Sequence, residues 1–591
     1  MTPFFRMPYS RMPSSLPART QLLGLALVAI AVAPPPPLSA QDPAQDPRVP
    51  WTFATSAARQ AADSLLRTLD RPDGPGLVAA VVEDGRITWQ GAAGLANLSH
   101  RVPMTPQTPI NVGSTAKTLT AAAVVQLVRE GRLSLDDDVR LHLPELPDLG
   151  SPVTLRHLLG HTSGYREFLN ALAVGGWRIE DADHVHPDEV IRVVQRQPAL
   201  QNEPGAAWNY NNTGFVLLAR VVERVTDTPF EAWIQGRILD PLEMTNSRFR
   251  TTPGQVIPGA ACGYAPLPGG GGYLEAKDVG AAVGAGAFYT TVGDLARWMR
   301  VVAGEVEAWA PVMEEMTRPT ILTDGSPTSY GLGMEVDREG GLRRIHHPGG
   351  DVAHRAHFAW FPDLEAGIIV ASNDGGFTGA PVAALTRIFF GARMDDVRVA
   401  DAPDTTKTGG DSPAASPTPA VLARLAGRYE LEVQPGFVLA IRATGEGLMA
   451  QATGQPPFPL VATSDSTFLL EAVGARLVFH ADSALTLHQG NAALLARRQL
   501  EVDAAGSLDA FEGRYYSHEF ETFYTVVARG GELVMEHRRR DPVRLFPAGE
   551  GVFTGPFPFF RVTFQRKEDG TVTGFLADAI RARDMPFERV R

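Results

Sequence analysis

The stretch VGSTAKTLTAAAVVQLVREG, residues 112–131, decides the fold and the chemistry predicted for this chain. Its apolar residues Leu119, Ala123 and Leu127 recur at every fourth position, a spacing typical of a helix with one apolar face. Gly131 suits the position just after a helix, where glycine is favoured. The pattern therefore predicts a helix that begins near Thr115 and ends at Gly131.

Lys117 stands out because it is one of only four lysines in a chain whose lysines and arginines total 54. Arginine stays protonated at any working pH, whereas a desolvated lysine can lose its proton and act as a base. Ser114 lies one helical turn earlier, so the two side chains can meet near the positive end of the helix dipole. The pattern S-x-x-K thus predicts a nucleophile beside a base. The alternative is an N-cap serine with a solvated lysine.

Two further motifs favour catalysis. Residues 208–214, WNYNNTG, contain Tyr210 and Asn212 as Y-x-N, a phenol that can shuttle a proton and an amide that can donate and accept hydrogen bonds. Residues 344–350, RIHHPGG, stand just before a predicted strand, where the glycines would let a substrate backbone approach closely. The alternatives are a turn with a packed tyrosine and a tight turn with surface histidines.

Taken in order, S-x-x-K, Y-x-N and H-x-G resemble the serine β-lactamase and penicillin-recognising family, especially its class C-like branch with D-aminopeptidases and esterases. The resemblance covers roughly residues 50–395. It implies an acyl-enzyme mechanism in which Ser114 attacks a carbonyl carbon while Lys117 and Tyr210 share the role of general base. It also implies an oxyanion hole made by the backbone N–H groups of Ser114 and Gly350. The substrate-binding residues that it implies are Asn212, His347, Gly349 and Gly350.

Departures from the family pattern bear on the substrate. His347 stands where many relatives have lysine, so ester or peptide cleavage is favoured over efficient β-lactam hydrolysis; His346 is the competing choice for this position. Arg355 could bind a substrate carboxylate, although a salt bridge inside the sheet is the favoured alternative. A literal K-T-G at residues 407–409 has no strand pattern around it and is rejected as a site.

The element pattern of the first domain predicts an α+β fold. A helix is expected over residues 54–69 and a β-hairpin over 77–90; helical patterns then dominate to about residue 240. Strands return at 357–361 and 367–372. An antiparallel sheet built from both ends of a helical segment is typical of this fold class and agrees with the β-lactamase/transpeptidase-like domain that the resemblance implies.

Composition and a weak repeat divide the rest of the chain. Residues 399–420, rich in Pro, Ser, Thr and Gly, predict a linker after a hydrolase domain at 41–398. The segment LAGRY at 425–429 recurs as FEGRY at 511–515, and short alternating strands follow each copy, so two small antiparallel β-barrel-like domains are predicted at 421–500 and 508–591. They resemble the barrels of some D-aminopeptidases and esterases, which can restrict access to the cleft.

Charge, cysteine content and a targeting signal limit the partners and the location that we expect for this protein. The formal charge of −12 argues against a nucleic-acid partner, and the single cysteine excludes a disulfide framework. Residues 1–40 have a basic start, a short apolar run and a small-residue cleavage site, as in a secretory signal, which predicts periplasmic or secreted protein without a stable membrane span. An uncleaved anchor is the alternative. No cofactor or metal motif is found, and the oligomeric state stays open.

The sequence thus predicts an exported serine hydrolase that cleaves a small peptide or ester substrate. Two alternatives remain open at this stage. One is a catalytically silent protein that binds cell-wall peptide, and the other is a true β-lactamase.

Overall fold

The computed structural model describes residues 52–179, 183–267, 270–276, 282–401, 417–431, 437–445, 447–452, 458–470, 475–480, 483–489, 492–499 and 508–590. The predicted signal at 1–40 and most of the predicted linker lie outside these residues. None of the helices within the described ranges has the length and apolar character needed to cross a membrane.

The first domain contains many helices and strands of different lengths. Its strands, β1 to β13, are Leu77–Glu83, Arg86–Ala93, Leu95–Asn97, Val102–Pro103, Ile110–Asn111, Arg248–Phe249, Tyr264–Pro266, Tyr273–Glu275, Phe288–Thr290, Glu335–Glu339, Leu342–Gly350, Arg355–Phe361 and Ala366–Ser372. Its helices, α1 to α10, are Ser56–Leu69, Lys117–Arg129, Leu155–Leu159, Phe168–Val174, Pro187–Arg196, Asn212–Thr226, Phe230–Ile234, Val292–Val302, Ala310–Met316 and Ala380–Asp401.

The main sheet has six antiparallel strands in the order β10-β11-β12-β13-β1-β2, so the two ends of the domain meet at the pair β13 and β1. Every residue of β1 and β13 is buried. Side chains alternate across a strand: Ala79 and Val81 pack with α1 and α10, whereas Val78 and Ala80 face the helical region. Both faces of these central strands are therefore covered, and the predicted α+β arrangement is confirmed.

The third motif differs from its sequence-based prediction. Residues 344–350 do not precede a strand but form most of β11. Strand β10 pairs with β11 only as far as His346, opposite Glu335. Residues 347–350 then pair with β12 alone. The other edge of residues 348–350 therefore forms no hydrogen bonds with β10, and the missing N–H of Pro348 is tolerated there. This geometry explains how a proline can lie within a strand of the main sheet.

Two closed eight-stranded antiparallel barrels follow the first domain. Helix α11, Pro419–Leu425, precedes the first barrel. Strands β14 to β21 of the first barrel are Gly427–Leu431, Val438–Thr444, Gly447–Ala452, Phe458–Ala462, Thr467–Leu470, Ala475–His480, Ala484–Gln489 and Ala492–Gln499. Strands β22 to β29 of the second are Gly513–Ser517, Thr522–Arg529, Glu532–His537, Arg540–Gly549, Val552–Thr554, Arg561–Arg566, Val572–Asp578 and Met585–Val590.

The sequence repeat has the same structural role in both barrels. Tyr429 donates a hydrogen bond to the Leu425 carbonyl over 2.9 Å, and Tyr515 donates one to the Phe511 carbonyl over 2.7 Å. Both tyrosines are completely buried at the first strand of their barrel. A buried phenol needs such a partner, so the shared motif marks the point where each barrel begins.

Candidate active site

Ser114 lies in a 3₁₀ turn, Gly113–Ala116, that leads directly into α2. The α-helix therefore begins at Lys117 rather than near Thr115, because the serine turn is wound more tightly. Gly113 has a φ of 51°, a backbone conformation that favours glycine, and its N–H donates to Asn111 Oδ1 over 2.9 Å. Ser114 itself is half-buried, which leaves its hydroxyl reachable at the base of the cleft.

Lys117 is fully buried and contacts three oxygen atoms. Its Nζ lies 3.1 Å from Ser114 Oγ, 2.7 Å from Asn212 Oδ1 and 2.7 Å from the Ala285 carbonyl oxygen. Burial lowers the pKa of Lys117 well below its usual value; Arg581 lowers it further, and Glu167 opposes the shift. A neutral amine is therefore within reach at working pH.

The neighbours of Lys117 match the hydrogen bonds of a neutral amine. A carbonyl and the Oδ1 of an amide can only accept, so two N–H groups of the amine point to Asn212 and Ala285. The orientation of the Asn212 amide is fixed because its Nδ2 donates to the Glu167 carboxylate over 2.8 Å. In the neutral amine the lone pair is then left for the Ser114 hydroxyl, as deprotonation of a nucleophile requires, whereas in the protonated amine the third N–H donates to Ser114 Oγ.

The Tyr210 side chain lies beside Ser114 and Lys117. Its ring centroid is 5.0 Å from Lys117 Nζ, and the His161 ring packs against it at 4.3 Å. Burial raises the pKa of Tyr210, while the nearby Ser114 hydroxyl and Arg581 oppose the rise. The Tyr210 hydroxyl has no aligned hydrogen-bond partner among the described residues, so it is free to bond a reacting group. The structure thus brings Ser114, Lys117 and Tyr210 together.

The predicted substrate ligands Asn212 and His347 already have protein partners. Asn212 joins Lys117 to Glu167, as described above. His347 is 1% exposed; its Nε2 lies 2.9 Å from Tyr330 Oη and its Nδ1 lies 2.6 Å from the Pro348 carbonyl. Burial lowers the pKa of His347 to about 3, with Lys117 adding to the effect, so the ring is neutral. Substrate binding by these two side chains stays a prediction, whereas their structural contacts are in place.

Gly349 packs against the serine turn. A Cβ atom at this position would lie 1.9 Å from the Val112 carbonyl oxygen and 2.9 Å from Thr115 Oγ1. The missing side chain therefore makes room for the serine turn, and substrate binding by Gly349 stays a prediction. Thr115 Oγ1 also donates to the His347 carbonyl over 3.2 Å. At Gly350 an added Cβ would make only ordinary contacts, 3.5 Å or more away.

Arg355 does not form the salt bridge that was the favoured prediction, and its binding of a substrate carboxylate stays a prediction. Its guanidinium donates to the backbone carbonyls of Asp351, His354 and Gly375, so it braces loops at the end of the sheet. It forms no salt bridge with a carboxylate in the described part of the chain.

His346 is the competing choice for the role of His347. Because neighbouring residues of a strand point to opposite faces of the sheet, its side chain lies on the face opposite to that of His347. Its Nε2 is 3.4 Å from a Glu335 oxygen and 3.3 Å from an Asp337 oxygen. These three residues are spaced as metal ligands could be, but Arg344 already engages Asp337 through two hydrogen bonds of 2.9 and 2.8 Å. The group is therefore a half-buried polar network of His346, Glu335, Asp337 and Arg344.

Four residues of the site escaped sequence reasoning. Glu167, Tyr330 and His161 were not among the predicted site residues. Arg581 comes from the second barrel, and its guanidinium carbon lies 4.7 Å from the Tyr210 ring centroid. No local signal could have placed Arg581 here, because its neighbours are distant in sequence.

Comparison with known proteins agrees with this geometry. The Beta-lactamase family model matches residues 62–393, more than half of the chain. A Bacillus subtilis (strain 168) protein named penicillin-binding protein PbpX is 29% identical to this chain over 258 residues. The match covers 44% of this chain and 61% of that protein. This chain therefore spans about three fifths of the length of that relative.

A relative of longer coverage is the D-aminopeptidase of Brucella anthropi, 24% identical over 88% of this chain and 96% of its own. A solved structure, the octameric penicillin-binding protein homologue from Pyrococcus abyssi, aligns with a TM-score of 0.51 and 22% identity, covering 74% of this chain and 99% of that one; it shows the shared fold. The chain belongs to the Beta-lactamase family and is a serine hydrolase of that family.

Proposed function

We propose that this protein is an exported hydrolase that cleaves a small amide or ester through an acyl-enzyme on Ser114. The observation that carries the proposal is the contact set of Lys117, whose two acceptor-only neighbours leave a lone pair for the serine hydroxyl. Lys117 takes the Ser114 proton as the oxygen attacks the substrate carbonyl carbon. Tyr210 carries a proton between Lys117 and the leaving group.

The developing oxyanion needs donors opposite the attacking oxygen. The backbone N–H groups of Ser114 and Gly350 are the proposed donors, and the close packing of Gly113 against the Gly350 backbone supports this assignment. Water then attacks the acyl-enzyme, with the same lysine and tyrosine removing its proton, and the acid is released.

The names of the relatives support one substrate class. Several are named D-aminopeptidases, so amides and short peptides of D-amino acids are the first candidates, with short acyl esters beside them. The missing lysine at position 347 favours these over β-lactams. Export rests on the signal-like residues 1–40, and the amino terminus of the mature protein from fractionated cells should begin at Gln41.

Covalent labelling tests the nucleophile. A fluorophosphonate probe should add one label to the wild type at Ser114, as measured by intact mass and peptide mapping, and Ser114→Ala should remain unlabelled. Turnover is then screened on D-amino-acid amides, D-Ala-D-Ala peptides, acyl esters and a chromogenic cephalosporin. A folded wild type that neither labels nor turns over any of them would favour the binding protein, and fastest turnover of the cephalosporin would favour a β-lactamase.

A further inference from the structure

The loop between β28 and β29 of the second barrel reaches into the catalytic cleft. Its residue Arg581 places the guanidinium carbon 4.7 Å from the Tyr210 ring centroid, while Lys117 Nζ lies 5.0 Å from the same centroid. A barrel that follows the hydrolase domain in sequence thus supplies a cation beside a catalytic tyrosine.

The backbone of Arg581 is fixed by residues of the hydrolase domain. Its N–H donates to Asn170 Oδ1 over 2.8 Å, and its carbonyl accepts from Asn209 Nδ2 over 3.0 Å. Asn209 precedes Tyr210 in the chain, so the same segment positions both the tyrosine and the arginine. Gln201 adds a contact to the loop by accepting from the Arg583 N–H over 3.2 Å.

The loop is also held from its own side. Ala582 is completely buried, and its carbonyl accepts from the Ala579 N–H over 2.8 Å, which closes a tight turn. Arg166 of the hydrolase domain donates to the carbonyls of Arg583 and Asp584. The position of Arg581 is therefore set before any substrate arrives.

The guanidinium of Arg581 has no anionic partner. Within the described residues it takes part in no hydrogen bond or ion pair, and it lies over the face of Tyr210. Arg355, by contrast, uses its guanidinium on three carbonyls. A cation–π contact leaves the charge and the donors of an arginine unsatisfied, and a partly buried guanidinium binds a carboxylate with two parallel hydrogen bonds.

We propose that Arg581 forms a carboxylate-binding subsite, so that the preferred substrates carry a carboxylate close to the scissile amide or ester bond. The inference rests on the proposed function. The subsite is within reach of a small substrate, because Tyr210 has both the Arg581 guanidinium and the Ser114 hydroxyl as neighbours, and two extended residues span about 7 Å. The Arg581 guanidinium would repel a free ammonium group at this position. The subsite therefore differs from one that binds the amine of a substrate.

The test compares matched substrates. Two series of acyl esters are used, with a carboxylate either on the leaving group or on the acyl group, and each compound has a carboxamide of the same shape. The wild type should prefer the carboxylate in one series by about 10- to 100-fold in kcat/KM, the range expected for a hydrogen-bonded charge pair. Arg581→Gln should reduce that ratio to near one, and Arg581→Lys should restore part of it.

Arg583→Gln is the matched control, because it removes a guanidinium from the same loop and should leave the ratio unchanged. The inference is overturned if neither series shows a preference, or if Arg581→Gln and Arg583→Gln change the ratio equally. Calorimetric binding of the free carboxylate and carboxamide to the Ser114→Ala variant separates the inference from catalysis. A binding preference that depends on Arg581 without turnover by the wild type would sustain the subsite and reject the hydrolase, whereas turnover without any preference would do the reverse.

Discussion

The chemistry of Lys117 depends on what surrounds its amine. The side chain is fully buried between Tyr210 and Phe215, whose ring centroids lie 5.0 and 5.5 Å from Nζ. Aromatic walls exclude water and disfavour the charged form. The nearest compensating charge, Glu167, acts through Asn212 rather than by direct contact. Burial therefore outweighs attraction, and the pKa of Lys117 falls.

Two substitutions should move the pH profile in opposite directions. In the proposed mechanism the unprotonated amine is the active form, so kcat/KM falls as the pH drops below the pKa of Lys117. Arg581→Gln removes a cation that lowers this pKa and should shift the acid limb upward. Glu167→Gln removes an anion that raises it and should shift the limb downward. Profiles of kcat/KM between pH 4 and 9 measure both, and shifts of the same sign would contradict the assignment.

At the scale of elements, the site depends on how closely β11 packs against the serine turn. Gly349 lets the strand touch the Val112 carbonyl, and the Thr115 hydroxyl bonds the His347 carbonyl across the same contact. Helix α2 and strand β11 are far apart in sequence, so this contact fixes the position of Ser114 relative to Gly350. A change of a few tenths of an ångström here would move the nucleophile away from its oxyanion donors.

Gly349→Ala tests this packing, with Gly350→Ala as its neighbour on the same strand. The added methyl group at 349 meets backbone 1.9 Å away and should destabilise the protein by about 1–3 kcal/mol, the range for overpacking, with a lower kcat. At 350 the nearest atoms are 3.5 Å away, so stability should change little. Thermal melting of the two variants gives the comparison, and equal melting temperatures would refute the packing role.

At the scale of the whole molecule, the second barrel is part of the active-site architecture. Its core residues pack in one continuous cluster with those of the helical region, whereas the first barrel has a core of its own. Arg166 and Glu519 form an ion pair across this interface, with Nε 2.8 Å from Oε1 and side chains only 3% and 1% exposed. Burial raises the pKa of Glu519 to about 7, with Arg166 opposing the rise.

Breaking this pair should loosen the barrel in a pH-dependent way. Arg166→Gln leaves a buried carboxylate without a counter-ion, which costs about 3–5 kcal/mol when that group is charged. A raised pKa favours the protonated form, so stability is retained at pH 5 and lost as the pH rises through 7. The loss of melting temperature should therefore be larger at pH 8 than at pH 5.

Arg196→Gln is the control for this experiment. Arg196 pairs with Glu521 across the same interface over 3.0 Å, but the side chains are 40% and 59% exposed. Exposed pairs contribute about 0–1 kcal/mol, so the melting temperature should fall little at either pH. A comparable loss in both variants would contradict the special role of the buried pair.

Periodicity and motif spacing were enough to predict the fold class, the two barrels and the proximity of Ser114, Lys117 and Tyr210. The hairpin β1–β2, the pair β12–β13 and the two barrel starts follow from local signals: alternating apolar residues, turn residues and a repeated tyrosine motif. Ser114 and Lys117 are one helical turn apart, so their meeting is a property of the helix itself. The linker at 399–420 and the signal at 1–40 stay predictions, since the signal and most of the linker lie outside the described residues.

The sequence alone determined which side chains are proposed to carry the chemistry, because the S-x-x-K and Y-x-N spacings identify a hydroxyl, an amine and a phenol as candidates. Only the tertiary structure decided what tunes and limits them. Glu167, Tyr330 and Arg581 reach the site through contacts between distant segments, and the partners of His347 and the room made by Gly349 depend on the same packing. Burial, charge and steric fit are properties of the assembled neighbourhood, and no local sequence pattern records them.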